Sequence, residues 1–242
     1  MAKARRPVYG RVILKVSGEG LCRPGGFGID ADEIARTARE IRGVARAGSE
    51  VAVVIGGGNL LRGSAVTKQA RIPEATAHQM GMLATIINAL ALQETLEATG
   101  VSSRVLSAIP VGSVCETYFR RRCIRHLEKG RVVILAAGTG RPFVTTDTAA
   151  ALAALELDAA ALLKATKVDG IYSADPMKDS RARFYPRLTY DRAIKDRLGV
   201  MDLAAMELCR CKNVPVIVFN MKKPGNMKKV VLGQRIGTLM TG

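Results

Sequence analysis

The hydrophobic positions of the chain alternate between short apolar runs and helical repeats. Apolar runs bounded by glycine or polar residues are typical of buried strands, and apolar residues three or four positions apart are typical of helices. Strands are predicted at 11–16, 51–55, 104–107, 132–136, 160–163, 214–219 and 238–240. Helices are predicted at 30–48, 75–98, 148–157, 202–211 and 225–232. This alternation indicates an α/β protein with a mostly parallel sheet.

Helix-end signals and the continuity of the pattern refine this prediction. Asp30 followed by Glu33 has the spacing of a capping box at the start of the helix predicted at 30–48. Gly100 is typical of a helix end and closes the helix predicted at 75–98. No linker, low-complexity tract or repeat divides the chain. We therefore predict a three-layer αβα sandwich and a single domain over residues 1–242.

The composition agrees with a core of aliphatic residues. Hydrophobic residues make up 48% of the chain and there is no Trp, so Ala, Val, Ile and Leu must fill the core, as they do around buried parallel strands. The basic start leads into a short strand and not into the longer apolar stretch of a signal peptide. No uncharged run approaches the roughly 18 residues of a spanning helix. We expect a cytoplasmic protein without a membrane partner.

The cysteines indicate neither a disulfide framework nor a metal site. There are five, they form no CxxC pair, and an odd number favours reduced thiols. Cys209 and Cys211 are two positions apart on a predicted helix, where side chains do not face each other. No neighbouring His or carboxylate set completes a metal shell, so no protein metal site is predicted.

The formal net charge of +16 favours polyanionic partners, either nucleic acid or nucleotide phosphates. The densest basic cluster comprises Arg120, Arg121, Arg122, Arg125, His126, Lys129 and Arg131. Such a cluster is either a solvated face or an anion-binding or subunit-contact surface. No helix-turn-helix, zinc finger or aromatic RNA platform is visible. Nucleic acid is therefore expected only as a nonspecific partner.

Three glycine-rich turns, at 18–20, 56–58 and 138–140, each follow a predicted strand. Ligands of open α/β sheets bind outside the carboxyl ends of the strands, where glycine lets backbone N–H groups approach phosphate oxygens. One such glycine is usually only a tight turn, but three with polar neighbours indicate a polyphosphate site. Neither GxxxxGK[ST] nor a GxGxxG opening a helix is present, which disfavours a P-loop kinase and a dinucleotide oxidoreductase.

Two basic residues stand beside these turns. Lys15 precedes the Ser17-Gly18 turn at the end of an apolar strand, so its ammonium group would point at the ligand of that turn. The alternative is an edge-strand lysine that reaches solvent. Phosphoryl transfer depends on positive charge placed on the oxygens of the migrating group. Arg62 would add a second charge with a geometry suited to phosphate.

Two polar segments complete the candidate site. Segment 139–147 supplies backbone donors, hydroxyls and a carboxylate ahead of a helix, and Asp147 is a candidate N-cap. A helix N-terminus is itself an anion site. Segment 164–176 carries an Asp169-Gly170 turn between short apolar pieces, which is typical of a hairpin.

Nine sequence blocks are similar to those of a known family. They are LKVSGE, FGID, VIGGGNLLRG, MGMLAT, SAIP, VVILAAGTGRPFVTTD, LLKATKVDGIYSADP, VMDLAA and VFNMKKPG. The order and spacing of these blocks resemble those of the bacterial uridylate (UMP) kinases of the amino acid kinase superfamily. The resemblance implies an amino acid kinase-like fold, with the acceptor bound mainly by the N-terminal half and ATP mainly by the C-terminal half.

The resemblance also implies an activity and its setting. The family transfers the γ-phosphoryl group of ATP to UMP, giving UDP and ADP, by direct in-line transfer with Mg²⁺ and without a phosphoenzyme. Its members serve pyrimidine nucleotide biosynthesis and are typically homohexamers. They are inhibited by UTP and often activated by GTP.

Site residues follow from the same resemblance. The implied ATP contacts are Lys15, Val16, Ser17, Gly18, Gly58, Arg62, Thr166, Tyr172 and Asp175. The implied UMP contacts are Gly57, His78, Thr139, Gly140, Arg141, Pro142, Phe143, Val144, Thr145 and Thr146. The implied catalytic residues are Lys15, Arg62, Asp147 and Asp202.

One position departs from the family pattern. Where the family usually has an aspartate that binds the ribose hydroxyls of UMP, this chain has His78. A neutral histidine also accepts a hydrogen bond from a hydroxyl, and Glu74 would substitute if the preceding turn folds inward. Other amino acid kinases phosphorylate carbamate or the carboxylates of glutamate, aspartate and acetylglutamate. GTGRPFVTTD followed by KATKVDGIYSADP favours a nucleotide acceptor over these.

Overall fold

The computed structural model describes residues 6–61, 71–199 and 201–242. Its strands are β1 Arg11–Val16, β2 Glu50–Ile55, β3 Ser103–Ser107, β4 Glu116–Thr117, β5 Val132–Ala136, β6 Ala161–Thr166, β7 Ile171–Tyr172, β8 Phe184–Tyr185, β9 Arg187–Thr189, β10 Val216–Asn220 and β11 Thr238–Thr241. Its α-helices are α1 Ala31–Arg46, α2 Glu74–Ala98, α3 Arg120–Glu128, α4 Thr146–Glu156, α5 Tyr190–Lys195, α6 Leu203–Cys211 and α7 Asn226–Val231. A short 3-10 helix, Gly18–Gly20, follows β1.

Nine of these strands form one sheet in the order β4-β3-β5-β2-β1-β6-β10-β11-β9. The central strands β3, β5, β2, β1, β6 and β10 pair in parallel, and β11 is antiparallel to β10. The carboxyl ends of the six parallel strands therefore meet at one edge of the sheet. Residues that follow those strands are brought together there.

The two faces of the sheet carry separate hydrophobic cores. One core contains Ile41 of α1, Leu92 of α2 and Val230 of α7. The other contains Leu127 of α3 and Ala150 of α4, with buried residues of α5 and α6. Helices thus cover both faces, which confirms the predicted three-layer αβα architecture. No helix in the described ranges is long and apolar enough to cross a membrane.

Alternation along the strands decides which side chains face which helices. In β1, Leu14 and Val16 belong to the core beneath α1 and α2, whereas Ile13 belongs to the core beneath α4. Because successive side chains of a strand point to opposite faces, Lys15 shares the α4 face with Ile13. Lys164 of β6 pairs in register with Lys15, so it lies on the same face.

Two local predictions are wrong. Asp147 does not cap α4, because Thr145 holds the cap position and its Oγ1 accepts from the Thr148 backbone N–H at 3.1 Å. The turn at Asp169 does not join a hairpin either. Strand β6 before it is held by parallel pairing with β1 and β10, and the short β7 after it pairs with β8. The two strands flanking this turn therefore have different partners.

The predicted start of α1 is confirmed in its main feature. The Asp30 side chain accepts hydrogen bonds from the backbone N–H groups of Asp32 and Glu33, both at 3.1 Å. The Glu33 carboxylate, in contrast, binds Arg36 and lies 2.7 Å from Lys222 Nζ. Glu33 thereby ties α1 to the segment that follows β10.

Candidate active site

The three glycine-rich turns meet at the carboxyl edge of the sheet. They follow β1, β2 and β5, which are parallel neighbours. A Cβ atom at Gly18 would come within 2.4 Å of Asn59 Oδ1 and 2.7 Å of the Gly56 carbonyl oxygen. A side chain therefore has no room at position 18, and the turns after β1 and β2 form one continuous rim.

Two polar residues of α2 hold these turns in place. The fully buried Asn88 donates from Nδ2 to the Gly56 carbonyl oxygen at 2.8 Å and to Asn59 Oδ1 at 2.7 Å. The Thr85 hydroxyl accepts from the Ala137 backbone N–H at 2.7 Å. Neither residue was predicted for the site, since a polar residue within an apolar helix indicates no role until its neighbours are known.

A cavity of about 340 Å³ opens beside the turns, between α2 and the segment that follows β5. Eight predicted UMP contacts line it: Gly57, His78, Thr139, Arg141, Phe143, Val144, Thr145 and Thr146. Gly58, predicted for ATP, lines it as well. Gly140 and Pro142 are not among its lining residues. Gly140 instead makes the turn, with φ +73° and a Cβ position only 3.1 Å from the Ala108 carbonyl oxygen.

His78 and Phe143 form one wall of this first cavity. The Phe143 backbone N–H donates to His78 Nδ1 at 3.0 Å, and the ring centroids lie 5.0 Å apart. Phe143 has φ +64°, which is uncommon for a bulky residue, so the histidine supports a strained turn. Glu74 approaches His78 Nε2 at 3.7 Å and is not among the cavity's lining residues. Glu74 therefore does not take the place of the family's aspartate at this wall of the cavity. The His78 imidazole lies there instead.

A largely buried cluster of three charges lies where β1 and β6 adjoin α4. Lys15 Nζ is 2.9 Å from Asp147 Oδ1, and Lys164 Nζ is 2.6 Å from Asp147 Oδ2. The three side chains are only 12%, 13% and 15% exposed for Lys15, Lys164 and Asp147. Burial lowers the pKa of Lys164, and nearby Lys15 lowers it further, while Asp147 opposes the shift. Lys15 is thus directed into the site and not into solvent.

Asp202 connects two helices at the same edge. Its carboxylate caps α6 by accepting from the Ala205 backbone N–H at 2.9 Å. It also accepts from the hydroxyls of Thr145 and Thr148 at the start of α4. Burial alone would raise the pKa of Asp202, but these hydrogen bonds and the charge of Lys164 keep the pKa below its ordinary value. Asp202 remains ionised and fixes α6 against the predicted acceptor segment.

A second cavity, of about 400 Å³, lies after β6 and beside β10. The predicted ATP contacts Thr166, Tyr172 and Asp175 line it together. The Thr166 hydroxyl is placed to donate its hydrogen to the carbonyl oxygen of Val168, at 2.8 Å, or of Phe219, at 3.1 Å. In the strand order, β1 separates the residues that follow β2 and β5 from those that follow β6. The turn after β1 therefore lies between the two cavities.

Val16 and Arg62 are predicted ATP contacts that are not among the described lining residues of the second cavity. Val16 is fully buried, and its carbonyl oxygen accepts from the Gly56 backbone N–H at 2.9 Å. It therefore supports the turn from below. Arg62, predicted for ATP binding and catalysis, lies outside the described residues.

The amino acid kinase family model matches residues 10–220 of the chain. The chain belongs to this family. It is 53% identical to the uridylate kinase of Methylococcus capsulatus, covering 97% of the chain and 98% of that protein. It is 51% identical to the uridylate kinase of Zymomonas mobilis, covering 98% and 97%.

Solved structures agree with this family assignment. UMP kinase from Bacillus anthracis superposes with a TM-score of 0.94 at 39% identity, covering 98% of the chain and 97% of that structure. UMP kinase from Ureaplasma parvum superposes with a TM-score of 0.90 at 35% identity, covering 96% and 98%. The predicted resemblance to bacterial uridylate kinases, the amino acid kinase fold and the kinase class are confirmed.

In this family member the basic cluster of 120–131 lies on and just after α3, and it is partly paired. Arg120 contacts Asp158 at 2.8 Å and Arg122 contacts Glu116 at 3.6 Å. His126 is 3.3 Å from another oxygen of Glu116. Exposed ion pairs such as Arg120–Asp158 contribute little stability. The geometry leaves both predicted alternatives open, a solvated face or a contact surface.

The carboxylates at the carboxyl edge of the sheet indicate how Mg²⁺ would be held there. No three His, Cys, Asp or Glu side chains of the described ranges come together as a metal cluster. Among the described residues, Asp147 Oδ1 is buried and accepts no hydrogen bond, although the Lys15 ammonium lies 2.9 Å from it. In phosphoryl-transfer sites one or two carboxylates plus substrate phosphates and water usually hold Mg²⁺. The residues fit that mode, with Asp147 contributing one oxygen.

Proposed function

We propose that this protein transfers the γ-phosphoryl group of ATP to UMP, giving ADP and UDP. The observation that carries the proposal is the buried cluster of Lys15, Asp147 and Lys164 at a glycine-rich rim between two cavities. Such a site offers room for two ligands and fixed positive charge between them. The uridylate kinases and UMP kinases described above, which match nearly the whole chain, support UMP as the acceptor.

In this proposal the two cavities divide the substrates within one domain of residues 1–242. UMP occupies the first cavity, where hydroxyls of Thr139, Thr145 and Thr146 and the Arg141 guanidinium provide polar contacts. The His78 and Phe143 rings offer flat surfaces beside them. The adenosine of ATP occupies the second cavity near Tyr172, with its phosphates directed toward the turn after β1.

Transfer then requires positioning and charge stabilisation more than covalent chemistry by the protein. A phosphate oxygen of UMP forms the new bond to the γ-phosphorus in line with the breaking bond to ADP. Lys15 stabilises the negative charge on the migrating group, and backbone N–H groups of the Ser17 and Gly18 turn hold the phosphates. Asp147 orients the ammonium groups, and Asp202 fixes the acceptor segment. Bound with ATP, Mg²⁺ would neutralise charge on the phosphate oxygens.

The experiment measures ADP production from ATP and Mg²⁺ with UMP, dUMP, CMP, AMP, glutamate or acetylglutamate as acceptor. We expect turnover with UMP, and loss of that turnover in Lys15→Ala. Lys212→Ala, which removes an exposed lysine after α6, is the matched control and should retain activity. Turnover with glutamate or acetylglutamate alone would identify a carboxylate kinase, and silence with every nucleotide would overturn the proposal.

The setting implied by the family is proposed together with the activity. It comprises a cytoplasmic homohexamer in pyrimidine nucleotide biosynthesis, inhibited by UTP and activated by GTP. Sedimentation of the purified protein tests the hexamer. Repeating the UMP assay with UTP or GTP tests the effectors. A response to GTP that is lost on replacing Arg121 and Arg125 by Ala would assign the α3 cluster to that effector.

A further inference from the structure

A third cavity, of about 460 Å³, lies near the β9 edge of the sheet, where β10 and β11 adjoin α7. Its apolar lining includes the buried Ile217 of β10 and the partly buried Leu239 of β11. The exposed residues Arg187, Gln234 and Arg235 line it as well. The function proposed above uses none of these residues.

The charges that line this third cavity are all positive. No Asp or Glu from the described part of the chain lines it. Within the same ranges, neither Arg187 nor Arg235 forms an ion pair or a side-chain hydrogen bond. A guanidinium group offers five N–H donors and binds a carboxylate, sulfonate or phosphate group strongly. The two arginines therefore suit the acidic head of a ligand, and the apolar lining suits its body.

The size and the charge of the cavity favour a small molecule as its occupant. Sites for small organic ligands have volumes of about 300–1,000 Å³, and the third cavity lies within that range. A second copy of this chain carries the same formal charge of +16, so it matches two arginines poorly. A small anion satisfies both conditions.

Phe184 connects the third cavity to the second cavity. Its side chain is 40% exposed and lines the third cavity, while its ring lies 5.3 Å from the ring of Tyr172, which lines the second. A Cβ atom at Gly170 would come within 2.8 Å of Phe184 Cε2, so the ring is closely packed on that side. A ligand in the third cavity would cover its open side and hold the ring against Tyr172.

We propose that the third cavity binds a small organic anion with an apolar body and one acidic head, and that this ligand tightens ATP binding through Phe184. The head pairs with Arg187 and Arg235, and the body lies against Ile217 and Leu239. The binding of the anion is independent of the function proposed above, whereas its effect on ATP rests on that function. Because coupling between two sites is reciprocal, ATP should tighten binding of the anion by the same factor.

The probe for this site is 8-anilinonaphthalene-1-sulfonate, which has an aromatic body and one sulfonate and fluoresces on apolar surface. It is titrated into the full chain with UMP and a non-hydrolysable ATP analogue at saturation, which keeps it out of the other two cavities. The double variant Arg187→Ala/Arg235→Ala should weaken probe binding by at least about tenfold. The control Arg39→Ala/Arg181→Ala, which removes two exposed arginines elsewhere, should leave it unchanged.

A second probe isolates the contribution of the acidic head. N-phenyl-1-naphthylamine has the same aromatic body without the sulfonate, so its binding should not respond to either double variant. Circular dichroism establishes that each variant is folded, and Arg187→Gln/Arg235→Gln replaces the alanine variant if the latter does not fold. Equal binding of the sulfonate probe to the two double variants overturns the proposed site.

Phe184→Leu tests the connection to ATP. The substitution keeps an apolar side chain in the wall of the third cavity and removes the ring that contacts Tyr172. In the wild type, calorimetry should show the ATP analogue binding about fivefold more tightly when the sulfonate probe is present. In Phe184→Leu the probe should not alter that affinity. A wild type whose analogue affinity does not respond to the probe overturns the coupling.

The readouts also separate this proposal from its alternatives. If Arg187→Ala/Arg235→Ala changes the sedimentation of the protein without weakening probe binding, the cavity is a contact between copies of the chain and the proposal is wrong. The probe titration needs no turnover. A wild type that binds the probe through the two arginines but does not phosphorylate UMP therefore refutes the proposed function and supports the site.

Discussion

Asn88→Ala offers a sharp test of how the glycine turn after β2 is held. Asn88 is fully buried and donates to the Gly56 carbonyl oxygen at 2.8 Å and to Asn59 Oδ1 at 2.7 Å. Alanine leaves both acceptors without this donor in a site closed to water. An unsatisfied buried polar group costs about 1–3 kcal/mol. We therefore expect the free energy of unfolding to fall by about 3 kcal/mol.

Urea denaturation at constant protein concentration measures this loss. Glu94→Ala, an exposed change on the same helix, is the control and should stay within about 0.5 kcal/mol of the wild type. The folded Asn88→Ala fraction should also show a raised KM, because the displaced turn lines the first cavity. A loss below about 1 kcal/mol, or one equal to that of Glu94→Ala, would show that Asn88 does not hold the turn after β2.

Three further predictions concern single side chains. Gly18→Ala places a Cβ within 2.4 Å of Asn59 Oδ1. It should lower kcat/KM about 100-fold, since small misplacements at a reacting centre reduce the rate strongly. Near-normal kinetics would contradict this prediction. Asp202→Ala should cost about 1–2 kcal/mol of unfolding free energy at pH 7 through the lost cap. Although burial opposes it, hydrogen bonds hold the folded pKa of Asp202 below its ordinary value, so that difference should persist at neutral pH and shrink as acid protonates the wild-type carboxylate. Urea denaturation at several pH values checks it. His78→Ala removes the acceptor of the Phe143 N–H. Initial rates should show the KM for UMP raised about tenfold and kcat changed far less. An unchanged KM would exclude His78 from the acceptor site.

Local pattern was sufficient for most of the regular structure. The six-residue strand Arg11–Val16 has the bounds predicted for it, and the Asp30 side chain caps α1 as its spacing indicates. Elements of two or three residues, such as Glu116–Thr117, were not predicted. A strand that short has no periodicity, and its partner strand alone makes it extended.

Only part of the candidate site was predicted from local pattern. Glycine turns after strands and a lysine at a strand end predicted a phosphate site, because the edge of a parallel sheet collects them. The sequence did not reveal that Asp147 would bind two lysines instead of capping its helix, since the neighbouring Thr145 competes for the cap. It also did not distinguish Lys164 from other polar residues of its segment.

Periodicity and local motifs alone were sufficient to establish the α/β class, the glycine-rich rim and the family to which the chain belongs. The nearly buried cluster of Lys15, Asp147 and Lys164 and the two cavities at the same edge depend on how distant elements pack. Those contacts join residues far apart in sequence. They follow from strand order and register. The packing of whole elements selects that order and register, and no local pattern determines them.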